Sequence, residues 1–153
     1  ATVTGAAQTA ITSVGTLTGL TVSTGVFAPY PTETVSVDND PVPEATESGK
    51  VFIVPAIAAT AITLPAVAVG LNFRILFSHS PTGAITLDCD GGNIFQGVVI
   101  GSAHAASPAI ITNKGAVVFS ASTAAGDSAD ILCDGVNWHV RAYVADHTTV
   151  TFS

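Results

Sequence analysis

The stretch Leu71-Asn-Phe-Arg-Ile-Leu-Phe-Ser78 alternates between apolar and polar side chains over most of its length. Its apolar side chains share one face of an extended chain: Leu71, Phe73, Ile75 and Phe77. Arg74 lies on the opposite face. A period of two residues is typical of a β-strand with one buried face. The stretch therefore predicts such a strand, and segments of similar character surround it.

These segments are rich in Val, Ile and Thr, which favour pleated strands, and they recur at spacings of roughly 8–12 residues with turn signals between them. The predicted strands are Val51–Val54, Ala61–Leu64, Leu71–Ser78, Ile85–Cys89, Asn93–Ile100, Ala109–Thr112, Ala116–Ser120, Ala129–Cys133, Trp138–Val144 and Thr149–Phe152. Ala-rich pieces such as 56–61 are too short for independent helices. Residues 49–153 are therefore predicted to form an all-β, antiparallel β-sandwich or jelly-roll-like domain.

Two further regions precede this domain. Residues 1–28 have apolar residues three apart, but their many Gly and Thr residues disfavour a helix, so we predict an extended N-terminal arm. Residues 29–48 contain four prolines and five acidic residues. Proline fixes φ and removes a hydrogen-bond donor, so this stretch is predicted to be an extended linker with at most a short strand at Thr34–Val37.

The composition restricts the classes of partner. Hydrophobic residues make up 48% of the chain and the mean hydropathy is +0.56. Such a chain is expected to bury surface between copies as well as within one copy, the alternative being a monomer with a well-filled sandwich. The net charge of −7 argues against nucleic acid and against anionic lipid as partners. No apolar run reaches the length of a membrane-spanning helix.

The two cysteines begin matching segments, Cys89-Asp-Gly-Gly-Asn93 and Cys133-Asp-Gly-Val-Asn137. Asp-Gly is typical of a tight hairpin turn, so both segments are predicted to be hairpins. Neighbouring hairpins would allow a disulfide, and two buried free thiols are the alternative. The start of the sequence lacks the basic and apolar regions typical of a signal peptide. The sequence has no methionine and begins with Ala, which we interpret as a complete product that lost its initiator Met, the alternative being a trimmed fragment.

The sequence contains no pattern typical of a catalytic or metal-binding site. The histidines lack metal-ligand spacing: His79, His104, His139 and His147. In Ser78-His79-Ser80, adjacent side chains on a strand point to opposite faces and do not make a triad. Several acidic residues in loops are compatible with calcium, but Asp beside Gly is typical of turns: Asp88, Asp90, Asp127, Asp130 and Asp134. We predict no catalytic residue, no metal and no cofactor.

Trp138 follows a turn and begins a strand. Its ring is either a sugar-stacking platform or a buried anchor of the last hairpin. Tyr30 is the second aromatic residue considered for glycan contact.

Four segments occur in an order that resembles small virion structural proteins of tailed bacteriophages, especially marine ones. They are Ser48-Gly-Lys-Val-Phe52, Ala61-Ile-Thr-Leu-Pro-Ala-Val-Ala-Val-Gly-Leu-Asn-Phe73, Leu132-Cys-Asp-Gly-Val-Asn-Trp-His-Val140 and Thr149-Val-Thr-Phe152. These look like head decoration (cement) proteins or related fibre modules. Separately, residues 11–22 are similar to repeats in the shafts of phage tail fibres.

The resemblance implies a non-enzymatic homotrimer that binds the major capsid protein on the virion surface after assembly in the host cytoplasm. The arm would contact the capsid through Val14, Leu17, Leu20 and Val22. The alternative is a tail-fibre or head-fibre module that binds a host surface glycan through Tyr30 and Trp138.

Overall fold

A computed structural model of the chain describes residues 31–36, 43–89, 94–101 and 109–153. The strands are β1 (Thr32–Thr34), β2 (Val51–Val54), β3 (Thr60–Leu64), β4 (Asn72–Phe77), β5 (Ile85–Cys89), β6 (Phe95–Gly101), β7 (Ala109–Lys114), β8 (Ala116–Phe119), β9 (Ser128–Cys133), β10 (Trp138–Val144) and β11 (Val150–Phe152). Single 3-10 turns lie at Ala45–Glu47 and His147–Thr149. The all-β prediction is confirmed.

The strands form two sheets, with the orders β1-β2-β4-β9-β10-β6-β7 and β11-β8-β5-β3. One continuous hydrophobic core contains side chains from both sheets, as in a β-sandwich. Strand orientation differs from the antiparallel prediction, because both sheets are mixed. The pairs β1–β2, β2–β4, β3–β5 and β6–β10 are parallel, and the other pairs in the described part of the chain are antiparallel.

Two of the parallel pairs arise because the chain from β2 to β5 alternates between the two sheets. Each strand lies in the opposite sheet from its predecessor, so β4 returns to the sheet of β2, and β5 to the sheet of β3, in the same direction. Parallel neighbours need a long crossover, and here the crossover contains a strand of the other sheet. Pro55 and Pro65 follow β2 and β3 directly and help to end them, since proline donates no ladder hydrogen bond.

Aromatic rings join the sheets in the core. The ring centroids of Phe77 on β4 and Phe119 on β8 lie 5.1 Å apart, across the space between the sheets. Phe73 packs between Phe52, at 6.1 Å, and Trp138, at 5.9 Å. All five side chains are almost completely buried. Burial of rings of this size contributes about 3–5 kcal/mol each to stability.

The folded unit begins earlier than the predicted boundary at residue 49. β1 pairs with β2, and the backbone N–H of Val35 donates to the carbonyl of Ile53 at 2.9 Å. Val35 is buried in the core. The predicted linker therefore contains an edge strand. The predicted arm, residues 1–28, lies outside the described residues.

The two Cys-Asp-Gly-x-Asn segments have different roles. The second is a hairpin, since β9 and β10 are antiparallel neighbours on either side of it. The first connects β5 to β6, which lie in different sheets, so the prediction of a second hairpin is wrong. Cys89 and Cys133 are both buried and are not joined in a disulfide, which favours the thiol alternative.

Candidate functional site

The seven-stranded sheet has one surface on the core and one that points away from it. We call the latter the outer face. Residue pairing across the sheet places the side chains of this face in rows. The central row runs Val51, Arg74, Asp130, Arg141, Val98 and Ile110. Hydrophobic and charged side chains are therefore mixed on one broad surface.

The exposed large hydrophobic residues of the described chain are concentrated at this surface. Seven such residues are 36% to 83% exposed. Five of them lie on the outer face: Leu76, Ile100, Ile110, Leu132 and Tyr143. The other two, Val69 and Val136, lie in the loops where β4 begins and β9 ends, and Val69 contacts the hairpin loop at Gly135. Exposed hydrophobic surface of this kind is typical of interaction sites.

The outward surface of the four-stranded sheet has a different composition. Its side chains are small or polar, with one valine and one carboxylate: Ala61, Thr63, Thr86, Asp88, Val118 and Thr151. None of the exposed large hydrophobic residues in the described ranges lies there. The sandwich therefore has one face suited to water and one suited to contact with another molecule.

A groove of about 540 Å³ crosses the outer face. Its lining includes Asn72, Arg74, Asp130, Leu132, His139 and Arg141. The strand beneath it is irregular, because the pairing of β6 with β7 shifts between Phe95 and Gly97. Such bulges bend a strand and increase the local twist of a sheet. Only glycine fits at this bend, since a Cβ on Gly97 would lie 1.8 Å from the carbonyl oxygen of Val140.

The charges of the groove come from three side chains on neighbouring strands. Arg74 on β4 makes a two-pronged contact with Asp130 on β9, with Nε–Oδ1 at 2.6 Å and Nη2–Oδ2 at 3.2 Å. Arg141 on β10 is the register partner of Asp130 on its other side. Arg141 is exposed and has no hydrogen-bond or ion-pair partner in the described part of the chain. The two arginines and one aspartate leave a net positive charge in a chain of net charge −7.

The hairpin loop at the end of the groove is held by Asp134. Its Oδ1 accepts from the N–H groups of Val136 at 2.8 Å and Asn137 at 2.7 Å, while Oδ2 lies 2.7 Å from His139 Nε2. The His139 contact and then these two N–H groups lower the pKa of Asp134 from its ordinary value of 3.8 to about 2. The carboxylate thus remains ionised and keeps both the loop and the His139 ring in position.

A second charged group lies near the edge strand. Lys50 Nζ is 2.8 Å from Glu33 on β1 and also contacts Glu47. Hydrogen bonds to both carboxylates raise the pKa of Lys50. The pKa of Glu47 is lowered, first by its hydrogen bond with the Glu44 backbone and then by Lys50. These contacts join β1 to the 3-10 turn.

The structure excludes Trp138 as a glycan contact. Trp138 is 0% exposed and packs on Phe73, so its ring is the anchor of the last hairpin and not a stacking platform. Its Nε1 is buried without a hydrogen-bond partner. Tyr30 and the predicted arm residues, Val14, Leu17, Leu20 and Val22, lie outside the described residues.

Several of the predicted candidates for catalysis or metal binding have structural partners. Asp127 is buried and accepts from the N–H groups of Ala124 at 2.9 Å and Ala145 at 2.8 Å, which joins two loops. Among the described residues, no group of three His, Cys, Asp or Glu side chains is arranged to hold a metal ion. Asp90 and His104 lie outside these residues. No helix in the described ranges is long and apolar enough to cross a bilayer.

The expectation that Ser78 and His79 point apart is wrong. His79 Nδ1 lies 3.3 Å from Ser78 Oγ, because β4 ends at Phe77 and strand alternation does not apply beyond it. The hydroxyl of Ser78 also lies 3.1 Å from the carbonyl of Val54, to which it donates. Burial raises the pKa of the Cys89 thiol, and its Sγ donates to the Gly115 carbonyl at 3.1 Å. Neither arrangement activates a nucleophile.

Sequence reasoning missed the residues of the outer face. A signal for them exists in strands that are apolar on both sides, such as Val98-Val-Ile100 in β6 and Ile110-Ile111 in β7. A strand exposed on one face normally alternates, and apolar runs indicate that both faces are covered. Comparisons with protein-family models, curated proteins and solved structures find no match to this chain.

Proposed function

We propose that this chain is a non-enzymatic structural protein of a tailed-phage virion, a trimeric decoration (cement) protein that binds the head lattice. The observation that carries the proposal is the concentration of exposed hydrophobic side chains on the outer face and its adjoining loops. A protein with one apolar face and one Thr-rich face is suited to assembly with other proteins. The resemblance of four segments to small phage virion proteins specifies the kind of assembly.

The proposed mechanism is linkage between binding and assembly. A decoration protein that binds the assembled lattice and not the free shell subunit shifts the equilibrium towards the assembled shell. Each copy contributes a small free energy, and the many copies on one shell act together.

Counting the protein in purified virions of the phage that encodes it tests the proposal. We expect quantitative mass spectrometry and antibody labelling to place it on the head, in a number proportional to the number of capsid subunits. A copy number matching a few fibres, or labelling confined to the tail, would support the fibre alternative. Absence from the virion would refute both.

The arm has a separate test. Deletion of residues 1–28 is expected to leave an assembled, folded protein that no longer binds capsids, because the hydrophobic core shared by the two sheets is built from residues between Val35 and Val150. The measurement is co-sedimentation of the full chain and the deletion variant with capsids that lack the protein. Undiminished binding of the deletion variant would refute the role of the arm residues Val14, Leu17, Leu20 and Val22.

The second candidate is a fibre module that binds a host glycan. The groove favours it, because a volume of about 540 Å³ and several convergent polar side chains are typical of small-ligand sites. No tryptophan is available for stacking in the groove, since Trp138 lies in the core. Glycan-array binding that disappears in Arg141→Ala but persists in Val118→Ala, on the opposite sheet, would support this candidate.

A further inference from the structure

We propose that the outer face is covered by a second copy of this chain, and that Arg141 pairs across the contact with a carboxylate of that copy. This inference rests on the trimer of the proposed function and assigns its subunit interface. It gives the outer face and the arm different roles: the face joins subunits, and the arm binds the shell.

The exposed hydrophobic side chains of the described residues are concentrated on one side of the sandwich. Every large hydrophobic residue that is exposed in the described chain lies on the outer face or in the loops at its end. Leu132 and Tyr143 lie on central strands, β9 and β10, where side chains cannot be withdrawn from the surface by a loop movement. Interfaces between identical subunits are more apolar than ordinary protein surface, and this face has that character.

The charge of Arg141 on the outer face is complementary to carboxylates elsewhere on the described surface. Arg141 on the outer face has no ion-pair partner among the described residues, while the described surface outside this face carries several carboxylates: Glu33, Glu44, Glu47, Asp88 and Asp146. A second copy therefore supplies the partner that Arg141 lacks within its own subunit. Because Arg74, Asp130 and Arg141 leave one positive charge on the outer face and these carboxylates lie outside it, the contact joins two different surfaces. Such head-to-tail contacts close into rings, and a ring of three is the simplest that matches a trimer.

The size of the outer face also supports a contact with a second copy. Seven strands at a spacing of about 4.8 Å span roughly 30 Å, and strands of about five residues extend roughly 17 Å. The face thus has a projected area of roughly 500 Å², to which the loops with Val69 and Val136 add. A specific interface of standard size buries about 800 Å² on each partner. The face and its adjoining loops together approach this size.

Light scattering on matched variants tests the inference. The wild-type chain is expected to have three times the mass of the 15.3 kDa subunit. Leu132→Lys, on the central strand β9 of the outer face, is expected to weaken association by at least about 100-fold and to give the single-chain mass. The matched control is Val118→Lys, which changes a half-buried valine on a central strand of the opposite sheet and is expected to keep the wild-type mass.

Arg141→Glu is a second test of the interface, and it changes no apolar side chain. Arg141 is exposed and has no partner in its own described subunit, so its replacement is expected to preserve the fold while reducing association. Circular dichroism of both variants checks that the sandwich persists. Folded variants that keep the oligomer would overturn the interface, even if the protein decorates the head. A monomeric wild type would overturn the trimer itself, and loss of capsid or glycan binding at unchanged mass would assign the face to that other partner.

Discussion

At the scale of single residues, Gly97 determines the shape of the candidate site. It lies on β6 with φ +147°, where the pairing with β7 shifts and the sheet bends beneath the groove. An added Cβ would collide with the carbonyl oxygen of Val140 on β10, at 1.8 Å. Backbone oxygen in a central pair of strands cannot move aside without breaking the ladder. The groove therefore depends on the absence of a side chain at this position.

Gly97→Ala is expected to lower the free energy of unfolding by more than about 2 kcal/mol, through both the collision and the strained φ. Gly115→Ala is the control, because the nearest atom to its added Cβ is the Ser153 carbonyl oxygen at 3.8 Å. Urea denaturation at a single protein concentration compares the two variants with the wild type. Equal and small effects at both positions would show that β6 tolerates a side chain at the bend.

The sequence alone leaves two roles open for the ring of Trp138. A tryptophan after a turn is compatible with a sugar platform and with a core anchor, since its ring is both apolar and able to stack. The choice depends on which face of β10 covers the core, and that is known only when β10 is placed between β9 and β6. The structure places the ring in the core and leaves Arg141 and Tyr143 on the outer face.

At the scale of elements, the β9–β10 hairpin is stabilised by a charged turn. The folded-state pKa of Asp134, about 2, lies below its ordinary value of 3.8 because of His139 and two backbone N–H groups. A lowered pKa means that the carboxylate stabilises the fold at pH values above about 4. This contribution is lost as the pH falls through about 2, since the protonated acid no longer makes the same contacts.

Asp134→Asn is therefore expected to have a lower Tm than the wild type at pH 5, and the difference is expected to disappear as the pH approaches 2. Thermal melts at half-unit intervals of pH measure this difference. Asp88→Asn is the control, because Asp88 lies on the outward surface of the other sheet without a comparable turn. A difference in Tm that is constant from pH 5 to pH 2 would mean that the charge of Asp134 is not involved.

Most elements could be predicted from local sequence, and their arrangement could not. The alternation from Leu71 to Phe77 and the segments Ile85–Cys89 and Trp138–Val144 agree with the observed strands. Alternation shows that one side of a strand is buried but not which sheet the strand joins. The two Cys-Asp-Gly-x-Asn segments demonstrate this, because the same turn residues connect paired strands in one case and different sheets in the other.

At the scale of the whole molecule, the two sheets have opposite surface character. The four-stranded sheet presents mainly Thr and Ala, while the seven-stranded sheet presents Leu, Ile, Tyr and Arg141, which has no ion-pair partner among the described residues. The high hydropathy of the chain predicts buried surface between copies, but it does not indicate where that surface lies. Only the pairing of strands across the sheet brings Leu76, Leu132, Tyr143 and Ile110 onto one face.

We propose that other copies of the chain cover this face in the assembled protein. Sedimentation equilibrium of the unmodified protein over a wide range of concentration tests it most directly. We expect a single species with three times the 15.3 kDa mass of the chain, stable to dilution. A single species of 15.3 kDa at every concentration would contradict the claim.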